Sequence, residues 1–490
     1  MSPTRGPHVL LLVVDTVRAD MAGLGAPGRS TMPALQEFAR AAAVYPDAFT
    51  TAPWTPPAHA SLFTGAWVWR HGCGGGGQRL DAGLPTLAER LAAAGYATGA
   101  VSANAWLGPG SGFERGFSRF VKAWQLVDRG GDLAGVRRAG RASGRTDLAE
   151  AVRRARAGGL TATGVNGLHH LLWRRHGRLG GGRVARRSVE VARELAAGGR
   201  PVFLFVNFLD AHLPYRAPRR YRRAVLGRRA GPARRVNQDP WGFVAGAVRM
   251  TGDDLELLRG LYAAELAHVN DRARQLLDGV DRVLGLDDTL VVVVSDHGEH
   301  LGEHGLMDHQ YSLSETLLRV PLAVRWPGRA HAGVHPGLRQ LVDVAPTVLD
   351  AAGLPVPEEP GLGRPLGEPA RSWALAEYPE PQPSMAAHAR RGDAAPFRRF
   401  DRALRALRLA DGRKVVTGSD GSLALYDLAS DPGERHDLAG ARPSEAHELA
   451  TRLAELTGGG GQRRPEPERA PPELAEHDVR RALQSLGYLE

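Results

Sequence analysis

The sequence predicts an α/β protein built on a doubly wound, mostly parallel sheet flanked by helices. A smaller α+β unit with an antiparallel sheet is expected at the C-terminal end. Three observations lead there. Five short apolar runs, Val9–Val14, Thr98–Ser102, Val202–Phe208, Thr289–Val294 and Val320–Val324, are hydrophobic without alternation. Strands covered on both faces read this way, as in a parallel sheet. Helical stretches lie between the runs: Thr86–Ala94 places Leu87 and Leu91 on one face and stops at Gly95, which suits the left-handed position after a helix. After Asp350 the pattern changes to a Gly- and Pro-rich junction at Gly353–Pro369. A hairpin follows, Ala406–Leu409 and Lys414–Thr417 joined through Ala410–Arg413, and then a strand at Leu423–Tyr426.

A chain of 490 residues suits one large and one smaller domain. We expect a large domain over 1–360, carrying an Arg- and Gly-rich helical insertion at 126–199 that includes the amphipathic Asp147–Ala157. A smaller α+β domain is expected over 361–457, and a flexible link with a terminal helix, Glu473–Leu486, over 458–490. Hydrophobic residues make up 43% and charged residues 24%, the proportions of an ordinary globular protein. The formal charge is +10, and Lys122 and Lys414 are the only lysines, so the basicity is arginine. Those arginines scatter through an Ala- and Gly-rich sequence instead of alternating with aromatic residues, so no nucleic-acid partner is expected. Cys73 is the sole cysteine, which rules out an intramolecular disulfide and a cysteine-based zinc site. Val9–Val14 is too short for a secretion signal or a membrane span, so the expected location is cytoplasmic. The oligomeric state stays open.

In a parallel α/β sheet, ligands bind beyond the carboxyl ends of the strands. Asp15 follows the first apolar run, Asn104 the second, Asp210 and His212 the third, and Asp296 and His297 the fourth. A lone Asp after a strand is ordinarily a helix cap. Several oxygen and imidazole groups delivered to one edge suggest a mixed O/N site for a divalent cation. The segment Trp54-Thr55-Pro56-Pro57-Ala58-His59 through Gly65 adds a hydroxyl. Thr55 before Pro56 reads as an N-cap with proline at the first helical position. Such a hydroxyl would sit beside free backbone N–H groups, a ready anion site. A neighbouring metal would lower its pKa. The adjacent His169 and His170 do not share a helix face and read as solvated side chains.

These residues resemble the sulfatases of the alkaline-phosphatase-like superfamily. Val13 to Asp20 is similar to their opening strand, and Ser295-Asp296-His297-Gly298-Glu299-His300 through Gly305 to their second metal-binding segment. Leu318–Leu322, Val342–Asp350 and the Leu425-Tyr426-Asp427-Leu428 stretch, with Asp431 to Glu434 after it, resemble later family segments. The resemblance runs from residue 8 to about 440, and the closing Leu483–Tyr488 is also similar to bacterial members. It implies a metal-dependent hydrolase of sulfuric or phosphoric esters acting on a small-molecule or glycan anionic ester. One divalent ion (Ca, Mn or Zn) would be held by Asp15, Asp296 and His297. Thr55 would occupy the nucleophile position and also touch the metal. His212 and His309 would contact the ester's anionic oxygens or protonate the leaving group. His59 falls where sulfatases usually place an arginine that supports the nucleophile. His300 and His304 are expected to be structural.

Two departures from the family bear on the chemistry. Sulfatases oxidise a cysteine or serine at the Thr55 position to formylglycine, whose hydrate attacks with one hydroxyl and expels sulfate with the other. Oxidised threonine would be a ketone, so that route is closed to it. Thr16 stands where many sulfatases have a further metal-binding aspartate. A set of one acid, a threonine and an Asp-His pair also resembles phosphoethanolamine transferases and lipoteichoic acid synthases, which use a threonine nucleophile. Two alternatives to hydrolysis are therefore a phosphoryl-group transferase and a non-catalytic relative that binds anions.

Overall fold

A computed structural model of the protein describes residues 6–24, 30–74, 79–108, 110–123, 180–309, 311–381 and 395–458. The expected helix Asp147–Ala157, the His169-His170 pair and the terminal helix Glu473–Leu486 lie outside the described residues.

The large sheet runs in the order Gly333–Val334, Ala43–Val44, Leu322–Arg325, Thr289–Val294, His8–Val14, Val202–Phe208, Ala97–Ser102, Arg119–Lys122. Pairing is parallel from Thr289–Val294 through Arg119–Lys122. The unbroken hydrophobicity of these strands has a direct cause. Leu10, Leu12 and Val14 pack into one core layer, while Val9, Leu11 and Val13 pack into the other. The first layer is closed by the helices Pro33–Ala39, Gly181–Ala196 and Gly252–Leu284. The second is closed by Leu87–Ala93 and Val344–Ala351. Helices on both faces make the sheet doubly wound, as expected. In register, Val13 stands beside Val294 and Val14 beside Phe208, so Asp15 and Asp296 leave the sheet at one level.

The run Val320–Val324 is not one parallel strand. It divides at Pro321: Arg319–Val320 pairs with Ala48–Phe49 in a separate three-stranded sheet. Leu322–Arg325 joins the large sheet antiparallel to Thr289–Val294. Proline has no N–H for a ladder. Its carbonyl is still used, accepting from Ser295 N at 3.2 Å.

The C-terminal region holds a separate antiparallel sheet, Trp373–Tyr378, Leu404–Leu409, Arg413–Gly418 and Leu423–Asp427 in that order. The expected hairpin is present with longer arms. The strand Trp373–Tyr378 and the helix Pro443–Leu456, which packs Ala446, Leu449 and Leu453 on the sheet, were not expected. Lys414 fastens this sheet to the segment Leu313–Glu315. Fully buried, its ammonium donates to Leu313 O at 2.7 Å and pairs with Glu315 and Glu434 at 2.9 and 2.8 Å. Breaking a buried pair by removing one partner costs about 3–5 kcal/mol. Lys414→Met should therefore lower the unfolding free energy by about 3 kcal/mol in urea titration, whereas loss of a surface contact would cost under about 1 kcal/mol.

Among the described residues, no helix is long and apolar enough to cross a membrane.

Candidate active site and metal centre

Asp15, Asp296 and His297 come together at the carboxyl edge of the large sheet, each with no exposed surface. Their ligand atoms lie within 4.8 Å of one another. His297 Nδ1 is 3.0 Å from Gly298 O; a carbonyl only accepts, so Nδ1 carries the proton and Nε2 keeps its lone pair. That Nε2 faces Asp296 Oδ2 at 3.3 Å and Asp15 Oδ1 at 3.8 Å. Both of those oxygens are buried without a hydrogen-bond partner. Burial raises the Asp15 carboxyl to about 6. Burial and the neighbouring Asp15 hold Asp296 well above the carboxylate range. Two orphaned carboxylate oxygens aimed at a bare imidazole nitrogen fit a divalent cation.

Thr55 stands beside this cluster. Its Oγ1 is 3.5 Å from His297 Nε2 and accepts from Asn104 Nδ2 at 3.2 Å. The same Asn104 nitrogen donates to Asp15 Oδ2 at 2.8 Å. Asn104 therefore links the hydroxyl to the acid, although the sequence marked it only as a residue following a strand. The helix Thr55–Thr64 begins one residue earlier than expected: Trp54, extended at φ −159° and ψ 165°, holds the cap position and Thr55 is the first helical residue. The anion site expected from free backbone N–H groups is also poorer. Pro56 and Pro57 have none, and Ala58 N bonds to Trp54 O. Charge on a bound ester must be met by side chains or by a metal instead. Gly65 closes the helix at φ 72°, as read from the sequence.

His59, one turn on from Thr55, donates from Nδ1 to Thr55 O at 3.0 Å and lies 3.4 Å from Asp296 Oδ2. It touches the backbone of Thr55, not the hydroxyl. Burial lowers it to about 4, so at neutral pH it lacks the charge that an arginine would supply. Cys73 is buried in the core among apolar side chains, and burial raises its thiol.

His212 and His309 meet on the other side. Their ring centroids are 4.9 Å apart, and the His309 ring lies 4.3 Å from that of His297. His212 donates from Nδ1 to Leu213 O at 2.6 Å, and burial lowers it to about 4. His309 behaves oppositely. Burial would lower it, but Asp308 at 2.7 Å and Glu299 at 3.5 Å hold it well above the usual imidazole value. Asp308 and Glu299 are the site residues that sequence reasoning did not single out. Glu299 lies inside the Ser295–Gly305 segment and Asp308 directly precedes His309. His300 is bound by Ser314 and Thr316, and His304 is exposed, so neither reaches the cluster.

The loop geometry is held by local bonds. Thr16 adopts φ 59°, and its N–H donates to Asp296 Oδ1 at 3.3 Å. Ser295 Oγ accepts from Val17 N and donates to His297 O, each at 2.8 Å. Arg18 clamps the outer edge, with Asp20 and Glu303 each at 2.8 Å. Burial would raise Glu303, but Arg18 lowers it to about 2. A depressed folded value stabilises the protein above the unfolded value of 4.5 and is lost as pH falls through about 2. Wild type should therefore lose more stability than Glu303→Gln between those pH values, and equal acid slopes in chemical denaturation would contradict the clamp.

A protein-family model described as sulfatase matches residues 7–354. The chain belongs to the sulfatase family. It is 26% identical over 451 residues to a choline-sulfatase of Rhizobium meliloti (strain 1021), covering 89% of this chain and 83% of that protein. An N-acetylglucosamine-6-O-sulfatase of Bacteroides thetaiotaomicron is 34% identical over 128 residues, 26% of this chain and 23% of that protein. Among solved structures, the phosphonate monoester hydrolase of Agrobacterium radiobacter superimposes with a TM-score of 0.63 at 22% identity, covering 92% of this chain and 96% of that one. The chain is thus a sulfatase-family hydrolase of sulfuric or phosphoric esters, in a family that uses a divalent metal. In this sulfatase-family member the residues gathered around Thr55 are Asp15, Asp296, His297, Asn104 and His59, with His212 and His309 opposite.

Proposed function

We propose that this sulfatase-family hydrolase cleaves phosphoric esters by attack of the Thr55 hydroxyl beside a divalent cation held by Asp15, Asp296 and His297. The observation that carries the reading is Thr55 Oγ1 at 3.5 Å from His297 Nε2, with Asn104 bridging it to Asp15. Two carboxylates and an imidazole suit manganese or zinc better than calcium. When bound, the cation would supply Lewis acidity to the hydroxyl and to the ester oxygens.

Asn104 Nδ2 donates to Thr55 Oγ1 and so favours the deprotonated hydroxyl. Oγ1 releases its proton to solvent, from which His309 is later reprotonated, and forms a bond to phosphorus as the bond from phosphorus to the ester oxygen breaks. The His309 imidazolium contacts the anionic oxygens and is the proton source for the departing alkoxide. Water then attacks phosphorus, releasing phosphate and restoring the Thr55 hydroxyl. His212, neutral and fixed by Leu213 O, orients the ester. A sulfuric ester on threonine would lack the second hydroxyl through which the family expels sulfate, which favours phosphorus.

Purified protein with Mn²⁺ or Zn²⁺ should turn over 4-nitrophenyl phosphate or bis(4-nitrophenyl) phosphate faster than 4-nitrophenyl sulfate. No turnover of any of the three would remove the hydrolase mechanism. A preference for the sulfate with Thr55 unmodified would remove the choice of phosphorus.

A further inference from the structure

We infer that the loop 216–235 is a docking surface for a linear anionic polysaccharide, one that carries several sulfuric or phosphoric ester groups. The inference names the substrate class of the proposed active site and rests on that reading only for the ester that is cleaved.

Charge is the first observation. Nine arginines fall within these twenty residues, with no Asp, Glu or Lys among them. The concentration contrasts with the scatter of arginine along the rest of the chain. Arg220, Arg222 and Arg229 are held within the protein, by the Tyr221 hydroxyl, the Ala217 carbonyl and the carboxylates of Asp253 and Glu256. Arg216, Arg219, Arg223, Arg228, Arg234 and Arg235 are exposed, and among the described residues none of their guanidiniums is paired with a carboxylate. The charges also converge from separate elements. Arg222, in the helix Arg219–Leu226, is lowered by burial and then by repulsion from Arg234, on the turn Pro232–Arg235. Like charges held that close are relieved by an anion lying across them.

Position is the second observation. Tyr215, just beyond His212, donates from its N to Gln238 Oε1 at 2.6 Å, and its carbonyl accepts from Gln238 Nε2 at 3.3 Å. The loop is thus tied shut at its root beside the active site. Its middle is fixed on the helix Gly252–Leu284, where a side chain at Gly260 would collide with Leu226. Its far end, at Arg229, pairs with the first turns of that helix. Those turns border the site as well: Arg259 reaches Glu303 at 3.6 Å, and the Tyr262 hydroxyl donates to Thr16 O at 2.8 Å. The basic surface therefore runs alongside the carboxyl edge of the sheet. One ester of a polymer in the site would leave its neighbours beside these arginines.

Composition selects the partner. Guanidinium forks match the paired oxygens of sulfate and phosphate esters. Tyr221, the single aromatic residue of the loop, is buried, so the loop offers no platform for stacking bases. Val225 is its one exposed large hydrophobic residue, too little to anchor it in a bilayer. A polysaccharide needs neither.

Full-length protein should bind dextran sulfate or dextran phosphate, and not plain dextran, in titration calorimetry at low salt. A variant combining Arg219→Gln, Arg223→Gln, Arg228→Gln and Arg234→Gln should bind at least about tenfold more weakly, with the slope of log Kd against log salt reduced by about 3. A charge-matched control combining Arg200→Gln, Arg282→Gln, Arg435→Gln and Arg452→Gln should bind like wild type. All eight side chains are exposed, so both variants should melt like wild type and keep its turnover of 4-nitrophenyl phosphate. The bound dextran should inhibit that turnover competitively in wild type and not in the loop variant. The tighter of the two charged dextrans tells a sulfuric from a phosphoric ester. Equal weakening in the control, binding of neither charged dextran, or binding without effect on turnover overturns the inference. So does tighter loop-dependent binding of duplex DNA or of phosphatidylserine vesicles. Loop-dependent binding by a protein that turns over no ester leaves the docking surface standing and removes the proposed mechanism; turnover without such binding does the reverse.

Discussion

Thr55→Ala should lower kcat/KM for a phosphoric ester by at least about 10³-fold while KM shifts by only a few fold, because the group removed forms the reacting bond. The protein should stay folded. The substitution deletes one hydroxyl that accepts from Asn104, a loss of about 1 kcal/mol. Thr55→Ser keeps the oxygen and should retain turnover far above the alanine variant. Steady-state kinetics on the three proteins, beside their melting curves, separates a lost nucleophile from a lost fold. Near-wild-type rates in Thr55→Ala would place the chemistry elsewhere than the hydroxyl beside His297 Nε2.

Removal of the metal is the second large effect. Chelation should abolish turnover, and Mn²⁺ or Zn²⁺ should restore it. The metal-free protein should also show a distinctive pH dependence. Burial raises the Asp15 carboxyl from 3.8 to about 6 in the folded state. A group raised on folding stabilises the protein fully below its unfolded value and loses that contribution as pH rises through the folded value. Metal-free protein should therefore weaken between pH 4 and pH 6, the interval set by those two values. Adding the cation should reverse the loss, since it takes up the ionised carboxylates. At a concentration 100 times its dissociation constant, a bound cation adds about 2.7 kcal/mol. Asp296→Asn should abolish both the metal-induced stabilisation and the activity. Thermal scans at several pH values, with and without Mn²⁺, check the sign.

The parts of the site that the sequence made legible share one cause. Asp15, Asp296, His297 and His212 each come just after an unbroken apolar run, and a parallel sheet brings the residues at its strands' carboxyl ends to one edge. Glu299 and Asp308 escaped because no such run announces them. Glu299 precedes and Asp308 ends a two-stranded turn, His300–Leu301 with Met307–Asp308, whose shape depends on residues in left-handed backbone such as His304 and Asp308. Thr55 was found as a hydroxyl at a helix start, but the helix begins one position early because extended Trp54 holds the cap. Pro321 divided an apolar run between two sheets, which hydrophobicity alone does not reveal. The strand Trp373–Tyr378 was hidden by Glu377, a polar residue buried because it pairs with Arg405 and accepts from Trp69 N. The C-terminal helix was missed although Ala446, Leu449 and Leu453 share one face.

One measurement addresses the Thr55 nucleophile most directly. Protein mixed with a phosphoric ester and Mn²⁺, then quenched in acid, is digested, and the peptide containing Thr55 is weighed. A phosphoryl adduct on Thr55, absent without ester and absent in Thr55→Ala, is the predicted result. Active protein whose Thr55 peptide carries no adduct at any quench time, while phosphate appears or another residue is labelled, would contradict it.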